Sequence, residues 1–305
     1  MKIQRRTMLK GLGAGALLGL PQQAWSAATM ELGGLTVSTV SDGHLALPAE
    51  FFFDGLPEDE LTTILEQYDV AQDTLTPPCN VTVAQFGGRT VLFDCGSGPA
   101  FMPTAGKLVD GLSVMGIRPE DVTEVVFTHG HPDHLWGVLD DFNDPVFTEA
   151  QYMMGRSEHA YWSDPETVET IGEARASFAV GAARRLEAIA EDMSTFDSGQ
   201  EIRPGIIAHS SFGHTPGHMS FELRGTEGAV LVVGDAIGNG HVAFERPEWP
   251  SGSDQDPETA ANTRVRLLDM LTQERMGLIG FHLPGGGLGR VERKGDAYQF
   301  VTEDM

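Results

Sequence analysis

The run Thr128-His129-Gly130-His131-Pro132-Asp133-His134 places four metal-capable side chains within six residues. Imidazole and carboxylate together suit zinc, iron, manganese or cobalt. Gly130 and Pro132 favour an extended or turning backbone here rather than a helix. In extended chain, residues two apart point the same way, so His129 and His131 can grip one ion together. Asp133 and His134 then lie at the turn into the next segment, free to face a second. Histidines scattered over a surface without common purpose would not crowd in this way. An open catalytic site needs its remaining ligands from other directions, and three more strand ends offer them: Gly213-His214-Thr215-Pro216-Gly217-His218, Val232-Val233-Gly234-Asp235 and Gly280-Phe281-His282-Leu283-Pro284.

The elements that must position these groups are visible in the apolar patterning. A short strand over 122–127 runs straight into the histidine cluster. Strands are also predicted over 35–40, over 81–85 and 90–93 as a hairpin around Gly87-Gly88, and over 205–210, 219–223, 229–233, 277–281, 290–293 and 298–301. Helices are predicted from Pro57-Glu58 onward, over 107–115 and over 257–271. The stretch 149–192 reads as mostly helical, with one long amphipathic run over 167–191. Two prolines and a glycine make 246–252 an irregular loop. Strands and helices alternate in two batches, which suggests two sheets with helices outside and a single domain over 29–305.

The first 28 residues are of different composition. Lys2, Arg5, Arg6 and Lys10 precede an apolar Gly11-to-Leu20 run, and small residues follow at Ala24, Ser26 and Ala28. Arg5-Arg6-Thr7-Met8-Leu9-Lys10 resembles a twin-arginine export signal. The implied partner is the twin-arginine translocase, the implied location is periplasmic or secreted, and no stable membrane anchor is expected after cleavage. Without this segment, 16 of the 20 basic residues remain against all 44 acidic ones, a formal charge of −28. Such a surface repels phosphate backbones and argues against a nucleic-acid partner. Cys79 and Cys95 flank the 81–93 hairpin, where opposed positions reach disulfide distance only if the turn length is right. Folding in reducing cytosol before export makes that bond optional. Neither cysteine lies in a motif with metal-ligand spacing.

Taken in order, His-x-His-x-Asp-His, Gly-His-Thr-Pro-Gly-His, Gly-Asp and a late histidine resemble the metallo-β-lactamase superfamily, and the likeness extends from about Leu35 to the end of the chain. The resemblance implies an α/β fold, a four-layer αββα sandwich of two similar halves with metals at one edge of the facing sheets. It implies that His129, His131 and His214 hold a first ion, that Asp133, His134 and His282 hold a second, and that Asp235 bridges them. Asp94 would stand behind these ligands as a hydrogen-bonding support, and His218 is expected to hydrogen-bond rather than ligate. His44, His159 and His209 are read as surface or packing residues, and His241 as a candidate pocket residue.

Among branches of that superfamily, the second-site cysteine of zinc lactamases has no counterpart among these ligands. The basic surface of nuclease branches and the extra helical domain of glyoxalase II enzymes are not evident either. The segment from Gly98 through Gly137 and the ending His282-Leu283-Pro284…Gly287-Leu288-Gly289-Arg290-Val291 are similar to the methyl parathion hydrolase-like group, which includes lactonases and arylesterases. Gly238 stands where autoinducer lactonases place a tyrosine, so a tyrosine-assisted mechanism is not expected. The reaction implied is hydrolysis of a small neutral ester, lactone or phosphotriester by a metal-bridging hydroxide, with Asp133 and Asp235 as the catalytic carboxylates. Zinc is the expected ion, with manganese, cobalt or iron as alternatives. Phe51 to Phe53, Trp136, Trp162, Phe178 and Trp249 are candidate pocket walls. Three other readings are an iron-dependent persulfide dioxygenase, a true β-lactamase and a non-catalytic metal-binding protein. A homodimer is an open assembly state.

Overall fold

A computed structural model describes residues 28–302. The export-signal segment read from 1–28 lies outside the described residues except for Ala28. No described helix is long and apolar enough to cross a membrane.

The first nine strands are β1 (Thr29–Glu31), β2 (Thr36–His44), β3 (Leu47–Pro48), β4 (Thr74–Leu75), β5 (Pro78–Phe86), β6 (Arg89–Phe93), β7 (Glu124–Phe127), β8 (Gln151–Gly155) and β9 (Met193–Phe196). Seven of them form one sheet in the order β1-β2-β5-β6-β7-β8-β9, while β3 and β4 pair separately. The chain then continues through β10 (Glu201–Arg203), β11 (Ile206–Ser210), β12 (Met219–Gly225), β13 (Gly228–Val232), β14 (Gly277–Ile279), β15 (Leu288–Lys294) and β16 (Ala297–Thr302). These form a second sheet in strict chain order. Each sheet mixes parallel and antiparallel pairs, with β6 to β9 parallel in the first and β13–β14 parallel in the second.

Alternation of side chains along the strands builds the layers. In β7, Val126 faces the second sheet, whereas Val125 and Phe127 pack under the helices Leu108–Val114 and Ala176–Ala188. A strand covered on both faces reads as a continuous apolar run, which is why it was legible. Between the sheets, Phe93 and Phe221 meet with ring centroids 5.1 Å apart. The helix Pro257–Glu274 covers the outer face of the second sheet through Leu267, Leu268 and Leu271. The result is the αββα sandwich that the motif order implied.

Two local expectations need correction. The run 167–191 is not one helix: Thr167–Thr170 ends before Gly172, whose φ of 95° no helix accommodates, and Ala176–Ala188 begins afresh. The stretch 149–192 also contains a strand, β8, too short to show a period, and β9 follows directly after it. Pro132–Leu135 forms one helical turn, because proline at the first helical position has the right φ and lacks only an N–H that would go unpaired. Cys79 and Cys95 are both free and buried. The pairing of Thr82 with Phe93 carries Cys79 opposite position 96, one residue away from Cys95.

At the start of β7, buried Glu124 joins the two sheets, accepting from Arg203 Nε of β10 at 2.6 Å and pairing with Arg89 of β6. Burial opposes its ionisation, yet Arg203, Thr123 and Arg89 hold its carboxyl below the usual carboxylate range. A depressed acid adds stability above its unfolded-state value and loses it as pH falls through the folded one. Glu124→Gln should therefore melt below wild type near neutrality and converge with it below about pH 4, as followed by Tm against pH.

Candidate metal centre

The strand ends converge at one edge of the sandwich. The structure brings together all seven residues read from the sequence, each no more than 8% exposed. The ligand atoms of His129, His131, His214 and Asp235 lie within 4.8 Å of one another, and those of His134, Asp235 and His282 do likewise. Asp235 belongs to both groups. Its Oδ1 is 3.2 Å from His134 Nε2, and its Oδ2 is 3.4 Å from His214 Nε2 and 3.3 Å from His282 Nε2. Asp133 Oδ2 lies 3.3 Å from His282 Nε2 and 3.4 Å from His134 Nε2.

The donors fit a pair of divalent cations. His129 Nε2, His134 Nε2, Asp133 Oδ2 and Asp235 Oδ1 are buried and have no hydrogen-bond partner. Each such orphan costs about 1–3 kcal/mol, and a cluster of them aimed at shared space is what a cation would relieve. The set is nitrogen and oxygen, as zinc and its neighbours prefer. Burial holds His129 and His131 well below the usual imidazole value, so both are neutral and keep a lone pair. Burial pulls His134 and His282 the same way, but the Asp235 and Asp133 carboxylates outweigh it and hold both well above.

The opposite ring nitrogens are tied down, which fixes each tautomer. His134 Nδ1 donates to Asp94 Oδ2 at 2.8 Å, and Asp94 also accepts from the Thr128 N–H and hydroxyl. His282 Nδ1 donates to Pro78 O at 2.8 Å, and His214 Nδ1 donates to Asp254 Oδ1 at 3.0 Å. His218 bonds Ser211 Oγ through Nδ1, and its Nε2 accepts the Asp235 N–H at 3.0 Å. With both nitrogens engaged, His218 positions Asp235 rather than facing an ion. His209 pairs with Glu222 at 2.9 Å, away from the centre.

Two supports escaped the sequence reading. Glu158 is fully buried and accepts from Gly130 N, Trp162 Nε1, Thr215 Oγ1 and Gly217 N at 2.5–3.0 Å. It thereby laces the first histidine loop to the Gly-His-Thr-Pro-Gly-His loop. Gly217 is required there, since a Cβ would sit 2.2 Å from the Glu158 backbone nitrogen. Asp254, behind His214, is in turn held by buried Arg264 at 2.9 Å, and Arg264 also donates to Pro247 O and Trp249 O. Only the Glu158/Trp162 helical spacing hinted at the first, and an acid in an acid-rich loop gave no sign of the second.

Beside His282 opens a cavity of about 400 Å³ lined by Phe52, Phe53, Tyr68, Val70, Leu75 and His241. Of the expected wall residues, Phe52 and Phe53 take that place. Trp162 is instead packed under His131 and bonded to Glu158, and Trp136 lies between Phe101 and the Arg185 guanidinium. Tyr68, Val70 and Leu75 were missed because no pattern separates them from ordinary core.

A protein-family model described as the metallo-β-lactamase superfamily matches residues 76–276. The metallo-beta-lactamase domain-containing protein 1 of Xenopus laevis is 28% identical over 212 residues, covering 67% of this chain and 73% of that protein. Among solved structures, AidC, a dizinc quorum-quenching lactonase in complex with a product, superposes with a TM-score of 0.86 at 24% identity, covering 92% of this chain and 98% of that one. The hydrolase AbOPH of the beta lactamase superfamily does so with a TM-score of 0.86 at 25% identity, covering 93% and 99%.

Proposed function

The chain belongs to the metallo-β-lactamase superfamily and is a metal-dependent hydrolase, and from that premise we propose that it cleaves small neutral esters, lactones or phosphotriesters at a dinuclear centre. The observation that carries this reading is Asp235, which belongs to both ligand clusters, its Oδ2 lying 3.4 Å from His214 Nε2 of one and 3.3 Å from His282 Nε2 of the other, and its Oδ1 3.2 Å from His134 Nε2. In the proposed arrangement His129, His131 and His214 would hold one ion, Asp133, His134 and His282 would hold the other, and Asp235 would serve both. The ions, when bound, would supply Lewis acidity and a water made nucleophilic near neutral pH. The residues of the chain do the rest. Asp94, Asp254 and the Pro78 carbonyl fix the imidazoles, Glu158 sets the spacing of the two loops, and His218 fixes the backbone of Asp235.

Substrate class is argued from the cavity. Its wall is mainly apolar, and burial pushes His241 down to about 4, so that this imidazole is neutral at physiological pH. A neutral, partly apolar substrate suits such a wall, and a polyanion does not. The names of AidC, a lactonase, and AbOPH, a hydrolase, support the same class. Zinc is the ion we favour. The second cluster favours two ions over the single iron of a persulfide dioxygenase. We also propose export through the twin-arginine route, on the strength of Arg5-Arg6 and the apolar run behind them.

The test is a panel. Chelator-stripped full-length protein should be inactive, and reloading with two equivalents of zinc should restore turnover of a lactone, an aryl ester or a phosphotriester above that of a β-lactam. Two bound metals with no hydrolysis of any of these substrates would overturn the reading. One iron per chain with oxygen uptake would do the same.

A further inference from the structure

Cys79 was read from the sequence as unrelated to any ligand set, and the fold places it against one. It is the second residue of β5 and is fully buried. Its neighbours on both sides grip the loop that carries His282. Pro78 O accepts from His282 Nδ1, the Asn80 N–H donates to Phe281 O at 2.9 Å, and the Asn80 side-chain amide donates to Phe281 O and Leu283 O at 2.9 Å each. These bonds hold the thiol and the His282 ring in register. The ligand atoms of Cys79, Asp133 and His282 lie within 4.8 Å of one another. Asp133 Oδ2, 3.3 Å from His282 Nε2, is buried without a hydrogen-bond partner.

A packing role would ask only for a small apolar side chain here, beside Val40, Leu45 and Val81. We propose that Cys79 is a further ligand of the second ion, binding as thiolate from β5 beside Asp133 and His282. The proposal rests on the dinuclear reading above. Binding would exchange the thiol proton for the ion, the proton leaving to solvent as the sulfur–metal bond forms. A sulfur ligand on only one of the two positions would make them chemically unequal, the second favouring zinc, cobalt or cadmium over manganese. Cys95 provides the internal contrast. Its sulfur lies 3.4 Å from the carbonyl oxygens of His134 and Leu135 and joins no ligand cluster.

The experiment is a cobalt titration of the metal-free full-length protein, read by near-ultraviolet absorption from thiolate-to-cobalt charge transfer. The band should appear in wild type as the second equivalent binds, persist in Cys95→Ser and vanish in Cys79→Ser. The chain has two cysteines, so persistence in Cys95→Ser assigns the band even if Cys79→Ser fails to fold. Two bound cobalt ions without a thiolate band in wild type would overturn the proposal and leave the dinuclear reading intact. A band lost in Cys95→Ser and kept in Cys79→Ser would overturn it as well. Failure to bind cobalt would overturn both readings.

Discussion

Asp235→Ala is expected to bind fewer than two ions per chain and to lose far more than the roughly 100-fold in kcat/KM that removing a supporting hydrogen-bond partner costs. The reason is its position rather than its charge alone. Among the described residues no other carboxylate lies in both ligand clusters, with oxygens 3.2–3.4 Å from His134, His214 and His282. Truncation removes a carboxylate from both clusters and leaves the raised His134 and His282 with Asp133 alone facing both. A hundredfold loss corresponds to about 2.7 kcal/mol of transition-state stabilisation, and two clusters damaged at once should exceed it. Elemental analysis and kinetics on the same preparation give the check. Full metal content with activity within tenfold of wild type would refute the bridging role. Asp235→Asn, which keeps the shape and one carbonyl oxygen, should fall between the two proteins in metal content.

The largest stability effect is expected at Glu158, which touches no proposed ion. Its carboxyl accepts from two backbone amides, an indole and a hydroxyl inside a region closed to water. Glu158→Ala strands these donors, and at about 1–3 kcal/mol for each unsatisfied buried group the loss should exceed 4 kcal/mol. For a domain of this size that is a fall of about 7 °C or more in Tm. Glu158→Gln keeps an acceptor oxygen but turns a donor toward amide N–H groups, and should fall in between. Thermal unfolding of the metal-free forms isolates the effect from metal binding. A Glu158→Ala protein melting within about 2 °C of wild type would show that the lacing of the two loops is dispensable.

The difference between these two residues explains what the sequence could reveal. Asp235 ends an apolar strand after a glycine, and His129 to His134 follow another, so chemistry and local structure share one stretch of text. The sheets were readable for the same reason, because a strand buried on both faces is apolar throughout. Glu158 and Asp254 carry no such mark. Their partners are backbone groups and loops that come together only after folding, and an isolated acid in a chain with 44 of them is indistinguishable from a solvated one. Cys79 carries no such mark either, since its closeness to Asp133 and His282 is made by the fold and not by spacing along the chain. The break at Gly172 and the short strands β8 and β9 were hidden because the helical pattern between the two strands overrode such short segments.

The order of the strands has a consequence for how the protein could be taken apart. Every strand of the first sheet precedes residue 197 and every strand of the second follows residue 200. A single nick in the Asp197–Gln200 turn would therefore yield two fragments, each owning a whole sheet. His129, His131, Asp133 and His134 would travel with one fragment, and His214, Asp235 and His282 with the other. Neither piece alone would hold a complete cluster, so divalent ions would act as the clasp between them. Complementation of such a split chain should strengthen as metal is added, on top of the apolar layer and the Glu124–Arg203 pair that already join the sheets.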